Sequence, residues 1–379
     1  VWEAQVLPVE LGVGYAVRCL DINKDNRQDI VIVDSKRFLW LENPSWQVHV
    51  MHADPSAKAD NVCMAPQDID RDGDVDLAVG YDWQPNNTQS GGAVGWLESP
   101  SDPRQPWTLR SISAMEPTTH RMNWADLNND GQPELIVAPL KGKGSQGPGF
   151  EDRGVRLLAF DIPNDPKGPN DSKAQAWQSR VIDESLHVMH NFEVVDLNRN
   201  RRNDVLCASF EGVHWFEFGS NWMLDAKRQL GVGHSGIAPA RGSSEIRMGR
   251  TKAGPRFLAT IEPWHGDHVV VYDESPNDPW ARQVIDSELK WGHAISCCNL
   301  DSDDDDELVI GVRDNATPHR CGVRIYDRKA DGTWTRQLLE PGQVAVEDLV
   351  TCDLDADGRA EIIAVGRATH NAVIYRQRR

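Results

Sequence analysis

The chain has 379 residues, 39% of them hydrophobic, with 58 acidic against 40 basic side chains and a net charge of −18. That composition supplies a real core and suits one large all-β domain over residues 1–379, while the negative balance argues against nucleic acid or an anionic membrane surface as partner. No apolar run is long enough for membrane insertion as a helix, and the seven cysteines, an odd number set mostly in short apolar segments, form no disulfide framework.

Along the chain one pattern recurs: an apolar strand, an acidic loop of the form Asp-x-(Asp/Asn)-x-(Asp/Asn)-x-x-x-(Asp/Glu), then a second apolar strand. The first loop runs from Asp21 through Asn23 and Asp25 to Asp29. The second is Asp68, Asp70, Asp72 and Asp76, the third Asp126, Asn128, Asp130 and Glu134, and the fourth Asp196, Asn198, Asn200 and Asp204. The last two are Asn299, Asp301, Asp303 and Glu307, then Asp353, Asp355, Asp357 and Glu361. First positions are 47, 58, 70, 103 and 54 residues apart, so the fourth interval hides a seventh unit that keeps its strands (244–250 and 256–262) and loses the loop.

A second marker agrees with that count. Trp2, Trp46, Trp107, Trp177, Trp222, Trp280 and Trp334 each open a short alternating strand, and five of them precede the next loop by 19 residues. Short strands at this period, punctuated by Gly, Pro, Asn and Asp, predict a seven-bladed β-propeller of four-stranded antiparallel blades. The chain ends on a third strand at 371–375, so Trp2 to Val6 is expected to complete the last blade.

Oxygen ligands at alternate loop positions suit calcium. Structural Ca2+ is expected foremost at Asp68, Asp70, Asp72 and Asp76 and at Asp353, Asp355, Asp357 and Glu361. The alternative is that Asp and Asn cap the turn by bonding to their own backbone, which Asn198, Asn200, Arg201 and Arg202 favour in the fourth unit. The repeat resembles the FG-GAP or VCBS type of propeller, as in integrin α-subunit heads. That likeness implies the fold and leaves function open.

Six residues before each loop stand Tyr15, Val62, His120, His190, His293 and Glu347, with Ser244 or Glu245 at the comparable place in the degenerate unit. Propeller geometry sends these to the face opposite the acidic loops, together with the second-to-third turns that carry His265, His268 and His370. With His187, His234 and His319, nine of the twelve histidines are assigned to that face, joined by Lys141, Lys143, Arg313 and Arg367. Three imidazoles around one opening suit a catalytic zinc ion with an open coordination place. His190, His265 and His293 are the expected ligands. Glu245 is a fourth ligand or an acceptor orienting an imidazole, and His268 is interchangeable with His265. His120 is the expected proton carrier, and Glu347 joins the predicted catalytic set. Arg121, Arg247, Lys141 and Arg367 are expected to orient an oxygen-rich or anionic substrate. A buried imidazole bonded to a carbonyl is the simpler account of His187, His234, His319 and His370.

Such a set suits removal of a proton beside a carbonyl, followed by loss of a β-oxygen. The segments Thr119-His120-Arg121, His187-Val188-Met189-His190-Asn191-Phe192, Glu262-Pro263-Trp264-His265-Gly266, Gly292-His293-Ala294 and Gly366-Arg367-Ala368-Thr369-His370 resemble the propeller domain of the aldos-2-ulose dehydratase family. That resemblance implies zinc-dependent dehydration of a keto-sugar such as 1,5-anhydrofructose; the cupin domains of the fungal enzyme have no counterpart in these residues. Two alternatives stand beside it: a polysaccharide lyase acting on uronate-containing glycans, for which Arg121, Arg247 and Arg313 are available, and a non-catalytic carbohydrate-binding or adhesion propeller. No Gly-x-Ser-x-Gly marks a serine hydrolase. Calcium-type loops and the glycosylation-like triplets at Asn86, Asn170 and Asn315 suit a periplasmic or extracellular protein, with any export signal already removed ahead of Val1.

Overall fold

The computed structural model describes residues 1–167, 177–301, 303–316, 320–339 and 341–378. Among these residues the second strand of each blade is a run of apolar, often β-branched side chains, such as Ile30-Val31-Ile32-Val33, and is buried along almost its whole length. Burial on both faces calls for a sheet packed between neighbours, which is why the pattern there is continuous rather than alternating. The outermost strands, such as Gln178–Asp183, carry the exposed residues.

Among the described residues seven four-stranded antiparallel sheets follow one another, their first strands being Gly14–Leu20, Cys63–Gln67, Thr119–Ala125, Asn191–Val195, Glu245–Arg250, Gly292–Cys298 and Val346–Cys352. We number these blades one to seven. Six use four consecutive strands; the seventh uses three and takes Trp2–Val6 as its fourth, in register from Trp2↔Gln377 to Val6↔Val373. The protein is therefore the seven-bladed β-propeller that the repeat predicts, the degenerate unit included. No helix among the described residues is long and apolar enough to cross a membrane.

Contacts group the chain into two compact units, Val1–Val50 with Ser244–Arg379, and Met51–Ser243. In the first, Ile30, Ile32, Leu39 and Leu41 of blade one meet Ile363, Val365 and Ile374 of blade seven, and similar layers join blade five to six and six to seven. In the second, Ile136, Leu157 and Ala159 of blade three meet Val205, Cys207 and Phe216 of blade four. Each of the Val, Leu, Ile and Phe side chains among them, fully buried, contributes about 1.5–3 kcal/mol from the area it removes from water. Marker tryptophans Trp46, Trp107, Trp177 and Trp280 are buried just ahead of their strands, and Trp46 joins the layer between blades one and seven.

The acidic loops have a structural rationale independent of any ion. In all six, the closing acid is the first residue of the second strand, is buried, and accepts the main-chain N–H of the loop's second residue: Asp29 from Ile22 at 3.1 Å, Asp76 from Ile69 at 3.0 Å, Glu134 from Leu127 at 3.0 Å, Asp204 from Leu197 at 3.4 Å, Glu307 from Leu300 at 2.5 Å and Glu361 from Leu354 at 2.8 Å. Burial drives the carboxyls of Asp29 and Asp204 up to about 6, and those of Asp76, Glu134 and Glu307 up to about 7, against the lowering effect of these bonds.

Candidate active site

The ring positions fall where each first strand begins. Tyr15, His120, His293 and Glu347 are each the second residue of that strand, Glu245 is the first, and His190 directly precedes one. The same edge of a blade carries the turn between strands two and three. In blade five the registers Glu245↔Ile261 and Glu262↔His268 put Trp264 and His265 there.

In the unit that contains blades five to seven, His265 and His293 are brought together, with ring centroids 4.9 Å apart, and Trp264 stacks on His265 at 4.2 Å. His293 Nδ1 lies 2.6 Å from the carbonyl oxygen of Glu347. A carbonyl can only accept, so the hydrogen sits on Nδ1 and the lone pair on Nε2, the tautomer a metal ligand requires. Arg313 Nη2 donates to His265 Nδ1 at 3.1 Å, so a metal ion can take that nitrogen only when the guanidinium yields it. The donor chemistry of His293 thus fits zinc as it stands, and that of His265 fits it once Arg313 yields Nδ1.

Glu347 is enclosed, its side chain 4% exposed, and is committed: Arg313 Nη1 donates to Oε2 at 3.2 Å and Arg367 Nη1 to Oε1 at 2.9 Å. Arg367 also lies over the Tyr15 ring at 5.6 Å. Burial lowers the basicity of Arg313, with Glu347 opposing. Glu347 and Arg367, expected to act on substrate, pair with one another, and Glu347 also holds Arg313.

In the unit formed by residues 51–243, His120 and His190 come together, with ring centroids 4.6 Å apart and Trp83 5.8 Å from His120. His120 Nδ1 bonds the carbonyl oxygen of His190 at 2.9 Å, which leaves the lone pair on Nε2; Arg121 Nη1 donates to it at 3.2 Å. Arg121 therefore covers the base that the sequence assigns to His120. Lys141 is not the rim cation expected of it. Its side chain is buried, Nζ donates to the Pro85 carbonyl and to Asn86 Oδ1 at 2.8 Å each and lies 3.7 Å over the Phe150 ring, and burial lowers its ammonium to about 8.

A regularity invisible in the sequence links three of these blades. Thr118, Val188 and Trp291, each two residues before a ring histidine, have φ of 58°, 45° and 61°, and His265 has 50°. Side chains with a Cβ avoid this left-handed region, and strain of this kind collects at functional sites.

The remaining predicted residues divide. Glu245 is buried beside its turn, whereas Arg247 Nη1 donates to the neighbouring Ile246 carbonyl at 2.7 Å. His268 is not interchangeable with His265, since it pairs with Asp267 at 2.5 Å. His187 bonds Glu211 at 2.9 Å and His370 the Gly12 carbonyl at 2.7 Å, while His319 and Asn170 lie outside the described residues. Of the loops, Asp68, Asp70 and Asp76 converge within 4.8 Å, as do Asp353, Asp355 and Asp357, but Asp72 and Glu361 are not in these groups. Glu361 is turned to the Leu354 N–H instead, and Asp70 is already met by Lys167 Nζ at 2.5 Å. Asp126, Asp130 and Glu134, and Asp301, Asp303 and Glu307, converge equally, which the sequence ranked lower. The fourth loop closes on its own backbone, Asp196 accepting from the N–H groups of Asn200 and Arg201.

The sequence reading passed over Trp83 and Trp291. Trp83 follows the second strand of blade two, the place Trp264 holds in blade five, so the positional argument used for His265 would have found it.

The fold and the two imidazole pairs define a propeller with histidines at the blade edges opposite its acidic loops. Within that class, the model of the aldos-2-ulose dehydratase β-propeller domain matches residues 91–275. The chain is 26% identical over 318 residues to aldos-2-ulose dehydratase of Phanerodontia chrysosporium, covering 76% of this chain and 32% of that protein, so it spans about a third of the relative's length. Among solved structures, a chain in "Crystal Structure of Mitotic Checkpoint Complex" matches with a TM-score of 0.59 at 10% identity, covering 100% of this chain and 94% of that one. That last likeness is one of fold alone.

Proposed function

We propose that the chain is a zinc-dependent carbon–oxygen lyase that eliminates water, or a glycosidic oxygen, β to the carbonyl of a keto-sugar. The observation that carries this reading is the shared tautomer of His120 and His293, each donating through Nδ1 to a main-chain carbonyl so that Nε2 keeps the lone pair, which in His120 accepts from Arg121. Similarity to a protein named as a dehydratase of an aldosulose supports the substrate class.

In this reading His120 Nε2 takes the proton next to the carbonyl, the freed electron pair forms the carbon–carbon double bond, and the β-oxygen leaves with its bonding pair and receives the proton that His120 now carries. Arg121 releases Nε2 as substrate enters and turns its charge to the substrate oxygens. His265 and His293 would hold the zinc ion, with His190, which takes the place in its blade that His293 takes in blade six, and Glu245 as further ligands carried from the sequence pattern. Bound zinc supplies Lewis acidity that stabilises an enolate. Calcium in the converging acidic loops, in the manner of FG-GAP propellers, and export from the cytoplasm belong to the same reading.

The test is turnover of 1,5-anhydrofructose by protein stripped of metal and then restored. Activity lost on chelation and regained with zinc, but not with calcium, supports the proposal. Turnover in rigorously zinc-free protein removes zinc from it, and no turnover at full zinc occupancy removes the dehydratase.

One observation favours a second substrate, a uronate-bearing glycan. Lys143, Arg153 and Arg156 line a cavity of about 600 Å³ with Gln89 and Glu184, a local excess of positive charge in an acidic chain. Formation of an unsaturated uronate, read by its ultraviolet absorbance, separates this elimination from the first.

A further inference from the structure

Trp291 stands two residues before His293 and leaves 54% of its surface in water. Its φ of 61° is an outlier for so bulky a side chain, and a glycine there would be free of that strain. The surrounding chain nevertheless fixes it. The Arg313 N–H donates to the Trp291 carbonyl at 3.1 Å, and the Gly292 N–H donates to the Gly266 carbonyl at 3.0 Å. The neighbouring Gly292 is packed closely, since a Cβ there would lie 2.9 Å from the Leu289 side chain and 3.0 Å from that of Ile261.

The indole is also engaged on its ring. The Arg313 guanidinium carbon lies 5.3 Å from the ring centroid, and the same guanidinium bonds His265 Nδ1 and Glu347. A strained, mostly exposed tryptophan contributes little to the core, so stability gives no reason for its presence. Its place gives one. It is joined through Arg313 to the imidazole pair assigned to the chemistry, and an indole offers a broad π-face to the C–H bonds of a ring bound there.

We infer that Trp291 is a stacking platform for a pyranose ring, which sets the sugar beside His265 and His293. The inference rests on the sugar-lyase reading and adds to it the residue that recognises the ring. Loss of the indole should act on binding rather than on the chemical step.

The test compares wild type with Trp291→Gly and Trp291→Phe in the zinc-loaded full chain, using 1,5-anhydrofructose as probe in both turnover and calorimetric titration. Trp291→Gly should raise KM and weaken binding about tenfold with kcat reduced by less than about threefold, while Trp291→Phe falls between it and wild type. Because glycine suits a φ of 61°, the thermal midpoint of Trp291→Gly should equal or exceed that of wild type, which separates lost binding from lost folding. Wild-type binding retained in Trp291→Gly overturns the platform and leaves the lyase reading standing. A loss confined to kcat also overturns it. A wild-type protein that neither binds nor converts the probe overturns the sugar reading and the platform together.

Discussion

His120 donates its Nδ1 hydrogen to the main-chain carbonyl of His190 at 2.9 Å, and its Nε2 accepts from Arg121 at 3.2 Å. One bond fixes the tautomer and the other keeps a cation at the lone pair, so the ring is held in one orientation. If it is the base, His120→Ala should lose at least about a hundredfold in rate while circular dichroism and zinc content stay at wild-type levels. A rate within threefold of wild type reassigns the base.

Glu347 makes a second separable case. It is enclosed between Arg313 and Arg367, and removing its charge leaves Arg313, whose side chain is 13% exposed, without its counter-charge. Glu347→Gln should cost about 3 kcal/mol in urea unfolding, the scale for breaking a buried pair from one side. Adding Arg313→Met should recover part of that loss, since the stranded charge goes with it. A double mutant as unstable as the sum of the singles shows that the two groups do not interact.

Lys141 yields a prediction with a definite sign. Its folded ammonium is lowered to about 8 from 10.5, so between these values the folded chain holds fewer protons than the unfolded one. Stability from this group therefore rises as pH increases through that window, and below pH 8 the full cost of burying the charge is present. Relative to Lys141→Met, wild type should gain about 2 kcal/mol between pH 7.5 and 10. An unchanged difference shows that Lys141 keeps its ordinary basicity.

What could be read from the sequence follows from what repeats. The loop acids and the marker tryptophans recur at a fixed offset because each blade solves the same burial problem, so the fold, the degenerate fifth blade and the closure by Trp2–Val6 were all legible. The ring histidines were legible by position for the same reason. Pairing was not. Whether His265 or His268 faces His293 depends on the left-handed backbone at His265, and whether Lys141 meets solvent or Asn86 depends on how residues 85–87 fold back. Neither leaves a periodic mark. Equally hidden was the division of labour in the acidic loops, where the closing acid serves the backbone first.

That division makes the loops sensitive to pH. Asp29 and Asp204 are pushed up to about 6, and Asp76, Glu134 and Glu307 to about 7, by burial. A carboxyl raised in the folded state contributes stability that is complete below its unfolded value near 4 and is lost as pH rises through 6 to 7. Of the groups with the opposite shift, His214, whose imidazole burial lowers, works against this trend as one group against five. Asp183, whose burial is outweighed by Lys227, and Asp286, whose burial is outweighed by Tyr326 and Arg336, hold their ion pairs fully by pH 5. Chelated protein should therefore have a lower thermal midpoint at pH 8 than at pH 5. A cation beside Asp76, Glu134 and Glu307 stabilises their charged form, so calcium should restore the midpoint at pH 8 and have little effect at pH 5, where those acids are protonated. A midpoint that is flat or rises from pH 5 to 8 without metal shows that these carboxyls titrate normally. A calcium effect equal at both pH values shows that any bound ion sits away from the closing acids.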